Sequence, residues 1–383
     1  MIRIGIVAGE ASGDRLGAAL IRALRERRSN IQVDGIAGPA MIAAGCTALY
    51  PLERLSVMGL KEVLGRYREL WSARRRLAGH FVAQGVQVFI GIDAPEFNLG
   101  LAHRLHRAGI KTVHFVSPQV WAWREWRVRG IARSVDRMLT LFPFEEEYYR
   151  RRGIAARCVG HPLADEITAP ADRAVLRAQL GLPARQPLLA LLPGSRHNEW
   201  RYHLQPFIDT VRWLRERRPD LGYVMAAVSD PARHRIEAHC RQIESYIPVR
   251  VARAREIICA ADVVLTVSGT ASLEAMLLGR PMVVVYRMGG LSYLVARSLV
   301  RVPFIALPNL LAGRRLVPEL IQGAVRAEVI GPAVLQWLDD PAAAHRLELD
   351  LGRIAASLRR GASARAAEAV LELLGDEADP ARG

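Results

Sequence analysis

The chain has 383 residues, room for two or three domains, and its 51% hydrophobic content excludes a disordered chain. Its 53 Lys and Arg against 38 Asp and Glu give a formal charge of +15, which favours nucleic acid, an anionic membrane or a phosphorylated substrate as partner. Lys61 and Lys111 are the only lysines; arginine suits bidentate phosphate recognition, although codon bias produces the same excess. Cys46, Cys158, Cys240 and Cys259 lie far apart, with no C-x-x-C pair, which argues against a disulfide framework or zinc site and for a reducing cytoplasm. Met1 runs straight into a strand pattern rather than a signal peptide. No run approaches the ~18 uncharged apolar residues of a membrane span, so the expectation is a soluble or peripheral cytoplasmic protein.

In chain order, residues 2–8 read as a buried strand, followed at helical spacing by Leu16, Ala19, Leu20, Ala23 and Leu24. Residues 86–92, 112–116 and 138–141 are further strands, with helical patterns between them. This alternation predicts βαβ units and a parallel sheet. Turn residues cluster around 160–162 and 169–172, and the alternation restarts with strands at 188–192, 223–228, 263–267 and 282–286. From about 341 to 374 the pattern is helical. The architecture expected is α/β, two similar domains with a cleft between them, with boundaries at 1–164 and 165–349. A helical tail, 350–383, is free to pack back on the first domain.

The unusual residues follow the strand ends, where open α/β sheets bind ligands. Residues 9–14, Gly9-Glu10-Ala11-Ser12-Gly13-Asp14, open a helix without the G-x-G-x-x-G or Walker A patterns. Glu10, Ser12 and Asp14 suit substrate hydroxyls better than phosphate, the competing reading being a capped structural turn. Asp93 emerges from a strongly apolar strand, where partial desolvation would raise its pKa and make it a usable general base, with Asn98 orienting a hydroxyl. A helix N-cap is the plainer role for Asp93. Residues 117–124, with Trp126, Arg127 and Arg129, form a basic aromatic stretch, but no nucleic-acid-binding pattern accompanies it.

In the second half, Pro193-Gly194-Ser195-Arg196 offers N–H groups and a guanidinium to a pyrophosphate, and Ser268-Gly269-Thr270 offers hydroxyls at a helix start. Glu274, one turn further, could take both hydroxyls of a ribose, and Asn309 lies at another strand end. Together these point to a nucleotide diphosphate. The histidines form no ligand cluster, so no metal is expected. Residues 55–76 combine Val57, Met58, Leu60, Val63, Leu64, Leu70 and Trp71 with Lys61, Arg66, Arg68 and three arginines at 74–76. An apolar face with a basic fringe reads as an interfacial helix on anionic lipid, against the commoner fate of packing into the core.

Eight stretches in this order resemble the lipid-A-disaccharide synthase family over nearly the whole chain: GEASGD (9–14), LSVMGLKEVLGR (55–66), GIDAPEFN (91–98), VSPQVWAWR (116–124), GHPLAD (160–165), LLPGSRHNE (191–199), SGTASLEAMLLGRPMVVVYRM (268–288) and LPNLLAGR (307–314). Members often carry Asp where Glu96 stands, which leaves the base assignment on Asp93. The resemblance implies a GT-B fold, two Rossmann-like parallel-sheet domains facing across a cleft, and an inverting glycosyltransferase. It implies transfer of 2,3-diacylglucosamine from UDP-2,3-diacylglucosamine to 2,3-diacylglucosamine 1-phosphate, giving a β(1→6) disaccharide phosphate and UDP. It also implies no metal or organic cofactor and no nucleic-acid partner. On this reading domain 1–164 binds the acceptor and the membrane, domain 165–349 binds the donor, and the protein is a monomer or homodimer on the anionic phospholipid of the cytoplasmic face of the inner membrane. The alternatives are another GT-B enzyme on a UDP-sugar, an epimerase or a lipid-free transferase, and a non-catalytic binder of anionic lipid or nucleic acid.

Overall fold

The computed structural model describes residues 1–52, 55, 60–167, 172–242 and 246–375. The chain divides into two compact units, Met1–Asp165 with Leu358–Gly383, and Glu166–Ser357.

The first unit is built on strands β1 (Ile2–Ala8), β2 (Ile31–Ala37), β3 (Thr47–Pro51), β4 (Val88–Ile92), β5 (Lys111–Phe115), β6 (Arg137–Thr140) and β7 (Ala156–Cys158). All pair in parallel, in the order β3-β2-β1-β4-β5-β6-β7. A parallel sheet buries both faces, and the strand period of two divides β1 between them. Ile4, Ile6 and Ala8 face one apolar cluster with Leu20 and Leu24, while Val7 faces another with Phe81, Phe89 and Leu101. The order reverses between β1 and β4, where Ala8 pairs with Ile92. The loops that follow these two residues therefore emerge side by side.

The second unit carries β8 (Leu188–Leu192), β9 (Gly222–Ala227), β10 (Val249–Val251), β11 (Val263–Val267), β12 (Met282–Tyr286) and β13 (Glu319–Ile321), all parallel in the order β10-β9-β8-β11-β12-β13. Every residue of β8 and β11 is buried, as expected of central strands. Here the reversal falls between β8 and β11, with Leu192 opposite Thr266.

The tail is two helices, Pro341–Leu358 and Ala362–Leu373, separated by Gly361 at φ +68°, a conformation that glycine adopts without penalty. The last helix buries Ala362, Ala366, Ala367, Ala369 and Val370, and packs on helix Ala11–Arg27 of the first unit. Small side chains let the two backbones approach. Asp165 accepts the N–H groups of Gly361 and Ala362, and Arg157 binds Glu368 and Glu372.

Among the seven residues of the apolar stretch expected at the membrane, Val57 and Met58 lie outside the described residues. Leu60, Val63 and Leu64 fall where only the backbone of helix Leu60–Ala83 is described. Leu70 corrects the expectation: it packs against the Phe81–Phe89 cluster because the C-terminal part of this helix lies on the sheet. Trp71 is 42% exposed, with Arg75 and Arg104 over its ring. Among the described residues no helix is long and apolar enough to cross a membrane.

Candidate functional site

The switch point of the first sheet carries Asp93. The residue is half-buried, and its N–H donates to Phe115 O at 2.9 Å. Burial, reinforced by the negative charge of Glu10, raises its pKa, while the Ala94 N–H opposes the shift. The turn is strained. Asp93 and Ala94 have φ of +48° and +41°, and Val116, at the end of neighbouring β5, has φ +76°. A β-branched residue at positive φ is an outlier, and such conformations each cost on the order of 1–3 kcal/mol. Three together at one sheet edge mark a place where the fold sacrifices stability to fix a geometry.

Asn98 holds that geometry. Its Nδ2 donates to Asp93 O at 2.8 Å, Ile92 O at 3.2 Å and Val7 O at 3.4 Å, and the residue is fully buried. This corrects the expectation that Asn98 orients a substrate hydroxyl; it braces the Asp93 turn instead. Asp14 is corrected likewise. Its carboxylate is buried and caps helix Pro39–Ala43 through the N–H groups of Gly38, Ala40 and Met41, at 2.9, 2.9 and 3.0 Å. Glu10, at the N-cap, and Ser12, in the first turn of helix Ala11–Arg27, remain exposed.

Asp93 lines a cavity of about 340 Å³ with Glu96, Ser117, Gln119, Trp123 and Arg124 among its walls. Arg127 binds Glu96 with both terminal nitrogens, at 2.6 and 3.1 Å, and Arg124 adds a third contact at 3.2 Å while stacking over Trp123 at 3.8 Å. Two guanidiniums thus stand beside Asp93 against one exposed carboxylate. Behind this wall lies Glu145, buried, accepting from Trp121 Nε1 at 3.1 Å, Leu141 N at 3.2 Å and Phe142 N at 3.1 Å. Burial pushes its pKa up to about 7 despite these donors. Ser117 Oγ also bonds the hydroxyl of buried Tyr149, at 3.1 Å. The sequence reading assigned no role to Gln119, Arg124, Arg127 or Glu145; the signal was the polar and aromatic density of residues 117–127.

In the second unit the loops after β8 and β11 flank the other switch point, which brings Ser195 and Arg196 beside Gly269 and Thr270. Glu199 modifies what they can offer. Its Oε2 accepts the N–H of Ser195 at 2.7 Å and of Arg196 at 3.1 Å, so these two amides cap the helix rather than face a phosphate. The Ser195 hydroxyl and the Arg196 side chain, both exposed, remain available. Gly269 N–H makes only a long 3.4 Å contact to Ser272 Oγ, and Thr270 is exposed at the first turn of helix Thr270–Leu277. Dipole and loose N–H groups there favour an anion. Glu274 is half-buried, its pKa raised by burial and opposed by Arg255 at 3.5 Å. Asn309 corrects its donor-binding assignment. Nδ2 donates to Val317 O and Glu319 Oε1, Oδ1 accepts from Leu316 N and Val317 N, and none of the side chain is exposed. It is a brace for its own loop. Among the described residues no group of three His, Cys, Asp or Glu is arranged to hold a metal.

The sequence profile of the lipid-A-disaccharide synthetase family matches residues 4–373. The lipid-A-disaccharide synthase of Chromohalobacter salexigens is 48% identical over 375 residues, covering 97% of each chain. Among solved structures, the UDP-GlcNAc 2-epimerase of Neisseria meningitidis bound to UDP-GlcNAc superimposes with a TM-score of 0.62 at 12% identity, over 98% of this chain and 99% of that one. A UDP-glucosyltransferase from Polygonum tinctorium gives the same TM-score at 13% identity, over 97% and 98%. The fold is GT-B, with two Rossmann-like domains.

Proposed function

The chain belongs to the lipid-A-disaccharide synthase family, a UDP-sugar-dependent glycosyltransferase family, and we propose that Asp93 is the general base of its transfer reaction. The reaction moves 2,3-diacylglucosamine from UDP to 2,3-diacylglucosamine 1-phosphate, forming the β(1→6) disaccharide phosphate with inversion. Inversion by direct displacement needs one base on the acceptor 6-hydroxyl, and no covalent intermediate on the enzyme. Asp93 meets the need: burial and Glu10 raise its proton affinity, and the Asn98-braced turn fixes its direction. Arg124 and Arg127, at the wall of the same cavity, suit the acceptor phosphate.

The donor belongs to the second unit. Arg196, the Ser195 and Thr270 hydroxyls and the amide end of helix Thr270–Leu277 take the diphosphate, and Glu274 takes the ribose. The leaving UDP gathers negative charge, and these fixed donors stabilise it as it departs. The unit Met1–Asp165 with Leu358–Gly383 takes the acceptor, and Glu166–Ser357 takes the donor. The setting we propose is the anionic cytoplasmic face of the inner membrane, from which acyl chains enter. Exposed Leu291, Leu294 and Val295, on helix Gly290–Leu299 of the second unit, which buries none of its residues, support it, as does exposed Trp71 of the first unit.

The observation that carries the reading is the strained, half-buried Asp93 at the switch point. Asp93→Asn should lower turnover roughly 10²–10⁴-fold, followed as disaccharide phosphate by mass spectrometry, with donor affinity unchanged. A near-normal rate would remove Asp93 as base, and a folded wild-type protein making no disaccharide would remove the reaction.

A further inference from the structure

A cavity of about 390 Å³ opens at the amino-terminal edge of the second sheet. Gln186 and Pro187, Asp262, and Pro281, which precede β8, β11 and β12, contribute to its walls. The donor loops leave the opposite, carboxyl ends of β8 and β11, so this cavity is a separate place in the same unit. Arg173, Arg177, Arg185, His345 and Glu348 complete its polar lining.

Its charges are unbalanced. Asp262 is saturated: Oδ1 takes Arg173 at 2.5 Å, and Oδ2 takes Arg177 at 2.8 Å and Leu188 N at 2.7 Å. Arg177 spends its other donors on the carbonyls of Ala184, Gln186 and Ala260. Glu348 has His345 Nδ1 at 3.7 Å, an ion pair only when the imidazole is protonated. Arg185 is exposed and makes no hydrogen bond or ion pair among the described residues.

The residue that needs explaining is Arg280, on the turn into β12. It is 8% exposed, its Nε is buried with no partner, and its guanidinium forms no hydrogen bond or ion pair among the described residues. Burial and the charge of Arg173 depress its proton affinity, and Cys259, Glu348 and Asp262 oppose them. Three of those four neighbours line the cavity. A guanidinium has five donors and no way to neutralise itself at ordinary pH, so a buried one without an acceptor is an expensive feature.

We propose that this cavity binds the dianionic phosphate group of a small phosphorylated ligand, with Arg185 and Arg173 in its lining as contacts and Arg280, which immediately precedes lining Pro281, as the unpaired buried charge behind its wall. Three lining arginines and Arg280 behind the wall, against Asp262 and Glu348, leave two positive charges, which a phosphate dianion matches and a monocarboxylate does not. Planar guanidinium forks suit phosphate oxygens. The volume exceeds that of phosphate alone, so the phosphate group carries a substituent: a soluble metabolite or a phospholipid headgroup.

The test is thermal unfolding of the full chain in increasing inorganic phosphate, with chloride holding ionic strength constant. The unfolding midpoint should rise and saturate, and do so equally in Arg196→Ser, which weakens the donor cradle. Arg280→Met should abolish the saturable rise and, by removing an unpaired buried charge, melt higher than wild type without phosphate. Arg185→Ser, on the exposed rim, should weaken the apparent affinity at least threefold, and it carries the test if Arg280→Met does not fold. Flotation with phosphatidic acid vesicles separates the sources: loss in Arg185→Ser assigns the headgroup, and unchanged flotation beside lost phosphate binding assigns the soluble ligand. The proposal is overturned by the absence of any saturable rise, by a rise that Arg280→Met and Arg185→Ser leave intact, or by one that Arg196→Ser removes.

Discussion

A methyl group added at Gly9 would test whether the strained turn is what positions Asp93. The Cβ of an alanine there would fall 2.4 Å from the Cβ of Ala94, the residue after Asp93. Carbon atoms settle at about 3.5–4.0 Å, so one loop must retreat by roughly 1.1–1.6 Å. The Gly9 loop is tied to β1 and helix Ala11–Arg27, whereas the 93–94 turn already sits at positive φ, so Asp93 is the side that yields. A displacement of about 1 Å at a catalytic group costs on the order of 10²-fold in rate, and overpacking costs roughly 1–3 kcal/mol of stability. Gly9→Ala should therefore lose about 10²-fold in kcat for disaccharide formation while remaining folded by circular dichroism. Adding Ala94→Gly removes the obstructing methyl and suits φ +41°, so the double variant should recover most of the rate. A single variant within twofold of wild type, or a double variant no faster than the single, would refute the reasoning.

Two further outcomes follow from the same geometry. Glu145 has its pKa pushed up to about 7 from the ordinary value of about 4.5, so the folded state holds its proton more tightly than the unfolded state does. Its contribution to stability is therefore lost as pH rises from about 4.5 to 7, by on the order of 3 kcal/mol. His114 and His161, whose pKa values burial lowers from about 6.5 to about 4, act with the opposite sign over an overlapping range, so Glu145→Gln should steepen the rise of stability with pH between about 4.5 and 6.5 and remove the decline above it, measured by urea unfolding; an unchanged curve counts against the assignment. Leu291→Ser with Leu294→Ser and Val295→Ser should reduce cosedimentation with anionic vesicles at least tenfold without lowering the melting temperature, since these side chains are 84%, 65% and 56% exposed. Unchanged vesicle binding would leave that helix without a membrane role.

Central strands were legible because burial on both faces writes an uninterrupted apolar run. β1, β8, β11 and β12 have the bounds that their sequences predict. The strands passed over are those where this signal fails. β3, β7, β10 and β13 are sheet edges of three to five residues, half-solvated and too short for a period to show. β2 lies inside the sheet, but its pattern is broken by Asp34 and Gly35. A Cβ on Gly35 would stand 1.6 Å from Ile6 O, so the backbone contact with β1 demands the residue that hides the strand.

The site was legible to a different depth. Residue type and strand-end position reveal which side chains can do chemistry, but not which are already committed within the fold. Asp14, Asn98 and Asn309 are all polar, all near the ends of strands, and all buried: the Asp14 carboxylate, the Asn98 Nδ2 and the Asn309 amide are engaged within the fold. Asp93 carries the same kind of side chain at the same kind of place, yet it is only half-buried and opens on a cavity. Glu199 makes the distinction within a single loop: it takes the amides of Ser195 and Arg196 for the helix and leaves their side chains to the ligand. A long-range bond such as Asn98 to Val7 O, 91 residues apart, joins groups that no local pattern connects. Position in the sheet selects the candidates, and hydrogen-bond saturation then separates the side chains that build the site from those still free to act in it.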